Sequence, residues 1–280
     1  MMLGARVGAW AKAGGGVLTA RDYVQDGLIA MWNGIENAGW GVHTSDKYSL
    51  RELVTGASIS VFESAPDIAE VVVSSNSVDF TRADTTDKEN TAYLACSIPG
   101  LADTLQSGTV MTMELVAVPD TSFINTVAEQ RWGLDFSVGG LLDVLSSPKG
   151  VLRRWWQGGT MCAGFNKRLY FDQSLGGHNM VETMKAWQQK RHTALIAGIT
   201  SSPSDAKDFI DGLPVSARWY DFWAGTTKDP GDYVVFGQTI YARTIVLPSR
   251  IYSWRLYSRA LTADEIAHNY AIDKARFNLP

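Results

Sequence analysis

The side chains best suited to chemistry in this 280-residue sequence are aromatic and cationic, and they cluster. Among ten Trp, ten Tyr and ten Phe, two groups stand out: Arg153-Arg154-Trp155-Trp156, and Trp219-Tyr220-Asp221-Phe222-Trp223. Exposed rings offer flat apolar faces to sugar C–H groups or to a partner protein, and neighbouring arginines add cationic contacts. Adjacent residues of an extended chain point to opposite faces, so Trp155 and Trp156 cannot both enter one core. One of them is expected to meet solvent or a partner. The competing reading is ordinary packing in a large core, which suits Trp32, Trp132 and Trp254 because each falls within a regular strand pattern. The candidate contact residues are therefore Arg153, Arg154, Trp155, Trp156, Trp219, Tyr220 and Trp223, expected on loops.

Nucleophilic and metal chemistry find less support. The four histidines, His43, His178, His192 and His268, lack His-x-x-x-His or His-Glu-x-x-His spacing. His192 begins a strand and His268 lies on the last helix, and both read as structural or exposed. There is no Gly-x-Ser-x-Gly elbow and no Walker loop. Cys96 and Cys162 are too few for a disulfide framework or a cysteine-built zinc site. They could form one bridge, although two buried free thiols is the simpler reading.

The elements that must position these groups are short strands. Hydrophobic residues make up 45% of the chain and charged ones 19%, enough to bury a sizeable core. The formal net charge of −4 and the absence of a Lys/Arg run argue against a nucleic-acid partner. No apolar stretch reaches the roughly 20 residues of a membrane-spanning helix, and no secretory signal is evident. Residues 1–22, rich in Gly and Ala, read as a flexible leader or anchor, and the remainder as one domain.

Period-two alternation marks Thr109 to Val118, with Met111, Met113, Leu115 and Ala117 on one face and Thr112 and Glu114 on the other. Arg131 to Val138 alternates likewise. Further strands are expected at Leu28 to Trp32, Ser58 to Phe62, Glu70 to Val73, Ala92 to Cys96, Arg168 to Phe171, Thr193 to Ile199, Tyr233 to Phe236 and Arg250 to Tyr257. Asp211-Gly212 can take the positive φ angles of a two-residue hairpin. Thr262 and Glu265 form a capping box that opens one amphipathic helix, with Ile266, Tyr270 and Phe277 along one face.

The segments 191–198, 208–215 and 251–266 resemble the laminin-G-like, concanavalin-like jelly-roll family. There a central strand precedes a hydrophobic-x-Asp-Gly hairpin, and an Arg-hydrophobic-Tyr-x-Arg-Ala-Leu-Thr-x-x-Glu-Ile strand and helix close the domain. Gly27 to Trp32 is similar to the family's first strand and Ser77 to Phe80 to a second. The resemblance implies an all-β, two-sheet antiparallel jelly-roll sandwich over 23–280, with a short C-terminal helix. It matches poorly from about Ser122 to Gln189, where extra loops would carry what is special to this chain.

Glycoside hydrolases of this fold place two carboxylates on one strand, in a spacing absent here. Glu129 and Asp135, six apart, would lie roughly 20 Å apart even on one strand. Catalysis is therefore not expected. Relatives also bind calcium through loop oxygens. Asp84, Asp87, Asp229 and Asp232 are loop acids, but they match no family motif, so no cofactor is assigned. The stretch from Asp22 to His43 is similar to proteins of phages and prophages of gut Bacteroidales.

Together these features lead to the expectation of a non-enzymatic module on a virion or extracellular surface, made without a signal peptide and binding a glycan or host receptor. Its leader would contact other virion proteins, and it could form a homo-oligomer. A structural decoration or fibre subunit is the alternative, and a divergent glycoside hydrolase a weaker one.

Overall fold

A computed structural model describes residues 17–64, 66–67, 69–82, 92–119, 132–140, 152–157, 160–165, 168–171, 189–198, 205–215, 218–220, 230–237, 246–247 and 249–280. Among the described residues seventeen strands are present: β1 (Leu28–Asn33), β2 (Ile59–Glu63), β3 (Ala69–Val73), β4 (Val78–Arg82), β5 (Ala92–Ser97), β6 (Met111–Pro119), β7 (Trp132–Gly140), β8 (Leu152–Gln157), β9 (Thr160–Phe165), β10 (Arg168–Phe171), β11 (Arg191–Ala197), β12 (Lys207–Ile210), β13 (Leu213–Val215), β14 (Arg218–Tyr220), β15 (Tyr233–Gly237), β16 (Val246–Leu247) and β17 (Ser249–Tyr257). Two α-helices join them among the described residues, α1 (Leu101–Gln106) and α2 (Ala263–Phe277).

The strands form two sheets, and the chain is an all-β sandwich. One sheet has the order β13-β12-β11-β6-β17-β4-β3, with β1 also paired to β17. The other runs β14-β10-β9-β8-β7-β15-β5-β2, with β16 beside β7. Pairing is antiparallel except for the two-residue contact of β16 with β7.

The main core lies between the sheets, because alternation sends every second side chain inward. Met111, Met113, Leu115 and Ala117 of β6 meet Leu94 and Cys96 of β5, Phe136 and Val138 of β7, and Val234 and Phe236 of β15 in one cluster. In β17 a bulge around Tyr252 shifts the phase, so Ile251 and Trp254 both enter this core although they are three apart. Trp32 and Trp254 are register partners. Trp254 packs on Phe136 and Phe236 at ring separations of 5.7 and 5.5 Å. The core expectation for these two tryptophans holds, while the side chain of Trp132 lies outside the described residues.

Several elements follow directly from local chemistry. Asp211 and Gly212 have φ of 49° and 76°, the pair of positive angles that a two-residue turn between β12 and β13 requires. Thr262 accepts from the Glu265 amide while Glu265 accepts from the Thr262 amide, closing the capping box of α2. Arg259 grips the same Glu265 carboxylate with two nitrogens, at 2.9 and 2.6 Å, and holds its pKa down to about 2. Thr262→Ala is therefore expected to cost about 1 kcal/mol. An unchanged chemical-denaturation midpoint would refute that cap.

Composition alone misplaces the start of the domain. Thr19 caps a 3-10 turn over Ala20–Asp22, Ala20 is fully buried, and its amide donates to Glu36 at 2.9 Å. Residues 19–22 thus belong to the folded domain, because they seat against the outer side of the first sheet. Residues 1–16 of the expected leader lie outside the described residues.

Candidate functional site

Among the described residues a dense group of titratable side chains sits on the outer face of the first sheet, beneath α2. The face of β6 opposite its methionines carries Thr112, Glu114 and Val116, all fully buried. That burial exists because α2 and the segment around Tyr23 cover this side too, through Ile266, Asn269, Ile272, Asp273 and Phe277. The alternation of β6 is visible in its sequence, but the lid over its second face is not.

Glu114 takes Arg255 Nε at 2.6 Å, Asn269 Nδ2 at 2.8 Å and His192 Nε2 at 3.2 Å. Asp273 takes two guanidinium nitrogens of Arg255, at 3.0 and 2.5 Å, and the Tyr23 hydroxyl at 2.7 Å. The guanidinium also lies 4.1 Å from the centre of the Tyr23 ring. Burial alone would raise the Glu114 carboxyl, but Arg255 and His192 outweigh it and bring it down to about 2. The Arg255 guanidinium is held well above its ordinary range, burial notwithstanding, by Asp273 and Glu114.

This constellation is a lock rather than a reaction centre. Glu114, His192, Arg255, Asn269 and Asp273 have no exposed surface, so no substrate reaches them. Arg255 also fills the place between the two carboxylates that a cation would need, and no group able to hold a metal ion occurs among the described residues. The lock explains the closing motif: Arg255 and Tyr257 tie strand to helix, with Asn269 Nδ2 donating to the Tyr257 hydroxyl at 2.9 Å, while Arg259, Thr262 and Glu265 fix the helix start. His192 is structural, and His268 Nε2 lies 2.9 Å from the carbonyl of Asp22.

Of the loop acids considered for calcium, Asp232 is engaged otherwise. Its carboxylate accepts from the Ala102 amide at 2.8 Å and so caps α1, whose own N-cap, Gly100, has no side chain to offer. Asp84, Asp87 and Asp229 lie outside the described residues. The cysteines cannot pair with each other, because Cys96 on β5 and Cys162 on β9 are four strands apart in one sheet. That separation is about 19 Å at 4.8 Å per strand, against a limit near 7 Å for a disulfide. Cys96 is a buried free thiol, and burial pushes its pKa up to about 12.

The aromatic and cationic candidates come together in the second sheet. Arg153, Arg154, Trp155 and Trp156 lie not on a loop but inside β8, because β7 and β9 both pair with it. Trp219 and Tyr220 lie on β14, the edge strand of the same sheet. Trp223 lies outside the described residues. Strands β9 and β10 connect the two groups, so β8 and β14 stand three strand spacings apart, about 14 Å.

Register orders this flank into rows. Ser137, Arg153, Gly164, Leu169 and Tyr220 are successive partners across β7, β8, β9, β10 and β14. Asp135, Trp155, Cys162, Phe171 and Arg218 form a second row, and Phe136, Arg154, Ala163, Tyr170 and Trp219 the row between them. Directly opposed residues share a face and neighbours along a strand alternate. The first two rows therefore share one face, and the third belongs to the other.

No protein-family model matches the sequence, and no curated protein matches it. Similar solved structures exist at low identity. A sialidase of Trypanosoma rangeli superposes with a TM-score of 0.50 at 12% identity, covering 89% of this chain and 33% of that one. The binding domain of a botulinum neurotoxin of serotype D/C superposes with a TM-score of 0.50 at 8% identity, covering 88% of this chain and 52% of that one. The chain thus spans about a third of the sialidase and about half of the toxin domain. What is shared is the fold, an all-β sandwich. Among the described residues no helix is long and apolar enough to cross a membrane.

Proposed function

We propose that this chain is a non-catalytic binding module that recognises glycan on a cell or particle surface. The observation that carries the reading is the convergence of two aromatic and arginine clusters, distant in sequence, on one flank of the second sheet. Aromatic faces suit the C–H faces of sugars, and paired strands fix the backbone positions from which these residues start. The neurotoxin structure of the same fold is itself described as a binding domain, which lends support. The non-catalytic part rests on the paired carboxylates Glu114 and Asp273 being sealed under α2. The setting on a phage virion rests on the N-terminal stretch from Asp22 to His43 alone.

A glycan array probed with the full chain should give reproducible binding to a defined glycan class. Trp155→Ala and Tyr220→Ala should each weaken it by about tenfold or more, the scale of an interface anchor, with unchanged circular dichroism. A blank array together with a defined oligomer in light scattering would replace this reading with a structural decoration or fibre subunit. Release of reducing sugar from polysaccharides would instead establish a glycoside hydrolase.

A further inference from the structure

One aromatic ring stands apart from both the core and the β8–β14 flank. Of the rings whose side chains are described, the others are buried or half-buried, whereas Tyr48 is 72% exposed. It sits on a 3-10 turn over Lys47–Ser49, in the connection between β1 and β2. A ring left in water adds little to folding, yet the turn beneath it is closely built. Asp46 caps it, accepting from the Tyr48 amide at 3.0 Å and the Ser49 hydroxyl at 2.5 Å, while its own amide donates to Thr44 Oγ1 at 3.1 Å. Lys47 donates to Glu63 of β2 at 2.7 Å and lies 3.6 Å from Glu70 of β3. Those strands are edges of the two sheets, so one ammonium ties the turn to both.

The groups around the ring set its chemistry. Lys47 Nζ lies 5.6 Å from the ring centre, so the ring and the Glu70 carboxylate fall within the reach of one disaccharide. The Glu70 side chain is half exposed, and Asp46 is exposed. Hydrogen bonds from Ser49 and the Tyr48 amide hold the Asp46 carboxyl below its ordinary range, which keeps it an acceptor at neutral pH. Lys47 is already committed to two carboxylates, so an anionic ligand meets no free cation there. Resting on the glycan reading above, we infer that this turn is a second contact site, for a neutral sugar, because it presents the exposed Tyr48 ring together with the exposed carboxylates of Asp46 and Glu70. The ring covers an apolar C–H face, and the carboxylates accept from hydroxyl groups. Because the turn is preformed, binding need order only the Tyr48 side chain.

The test uses the full chain, with maltohexaose, cellohexaose, mannohexaose and chitohexaose as neutral probes and hexagalacturonate as the acidic one. Photochemically induced nuclear polarisation enhances tyrosine rings that a dissolved flavin can touch. The unaltered chain should show a tyrosine signal that is absent from Tyr48→Phe. At least one neutral hexasaccharide should suppress that signal, and hexagalacturonate should leave it intact. In titration calorimetry Tyr48→Ala should bind the same neutral hexasaccharide about tenfold more weakly, with an unchanged denaturation midpoint because the ring is exposed. Tyr48→Phe should keep most of the affinity, and Glu70→Gln should lose about threefold.

Binding of a neutral hexasaccharide or array glycan that leaves the Tyr48 signal and the Tyr48→Ala affinity unchanged would overturn the inference and leave the glycan reading standing. So would a loss in Tyr48→Phe as large as in Tyr48→Ala, suppression of the signal by hexagalacturonate, or an array that answers only with acidic glycans. Absence of binding to every hexasaccharide, together with a blank array, would sink the glycan reading itself, and the inference with it.

Discussion

Arg255→Met is expected to cost about 3–5 kcal/mol of folding stability, the range seen when one partner of a buried ion pair is removed. Methionine fills much of the same length, so the loss does not come chiefly from a cavity. It comes from two carboxylates, Glu114 and Asp273, left without exposed surface and without the guanidinium that bridges them at 2.6 and 2.5 Å. Tyr23 would lose the cation 4.1 Å from its ring, and with it one tie of the N-terminal segment to β17. Lysine is no remedy, because a single ammonium cannot serve the Nε and Nη positions together. Urea denaturation of Arg255→Met next to the unaltered chain measures the effect. A midpoint within error of the unaltered chain would show that α2 is held by its apolar contacts alone. Binding at the β8–β14 flank should survive at temperatures where the variant is folded, since that flank belongs to the other sheet.

How much of this could be read from the sequence depends on how local each signal is. The turn at Asp211-Gly212, the cap at Thr262 and Glu265, and the alternation of β6 are written within a few residues, and each appears where the residues place it. Strands β8 and β9 have no clean alternation, since Arg153-Arg154-Trp155-Trp156 reads as pairs, so the segment resembles a loop until its neighbours are known. Helix α1 is six residues long and takes its capping oxygen from Asp232, 130 residues onward, a partnership no local pattern contains.

The lock under α2 was half visible. Arg255, Tyr257 and Arg259 stand in the closing motif, but the alternation places Glu114 only on the face opposite a methionine stripe and does not show what covers it. Asn269 and Asp273 would have been the clue, being polar residues four apart on the same helix face as Ile266 and Ile272. The candidate binding flank was legible as two separate clusters. What joins them is register across β9 and β10, which lie in the stretch where the family resemblance fails.

Glu114 should make the protein acid-labile in a defined window. Its folded pKa, about 2, lies below the ordinary 4.5. A depressed carboxylate contributes stability that is fully present above its unfolded value and is lost as pH falls through the folded one. The expected loss therefore begins near pH 4.5 and continues to about pH 2, and titrating Glu265 at the helix start adds to it in the same range.

Glu114→Gln separates the two contributions. The amide keeps one oxygen for Arg255 and Asn269, gives up the charge that pairs with the guanidinium, and sets its NH2 group against His192 Nε2, which must change tautomer to accept from it. At pH 7 the substitution should cost about 3 kcal/mol or more. Its stability should then fall less steeply than that of the unaltered chain between pH 4.5 and 2, because the group that titrates in the lock is gone. Urea midpoints at pH 7, 4 and 2.5 for both proteins decide the matter. Parallel pH profiles would mean that Glu114 is not the titrating group, and that the acid sensitivity belongs to Glu265 or to carboxylates outside the lock. A shallower profile for Glu114→Gln would assign the loss to the carboxylate through which β6, β17, β11 and α2 all meet.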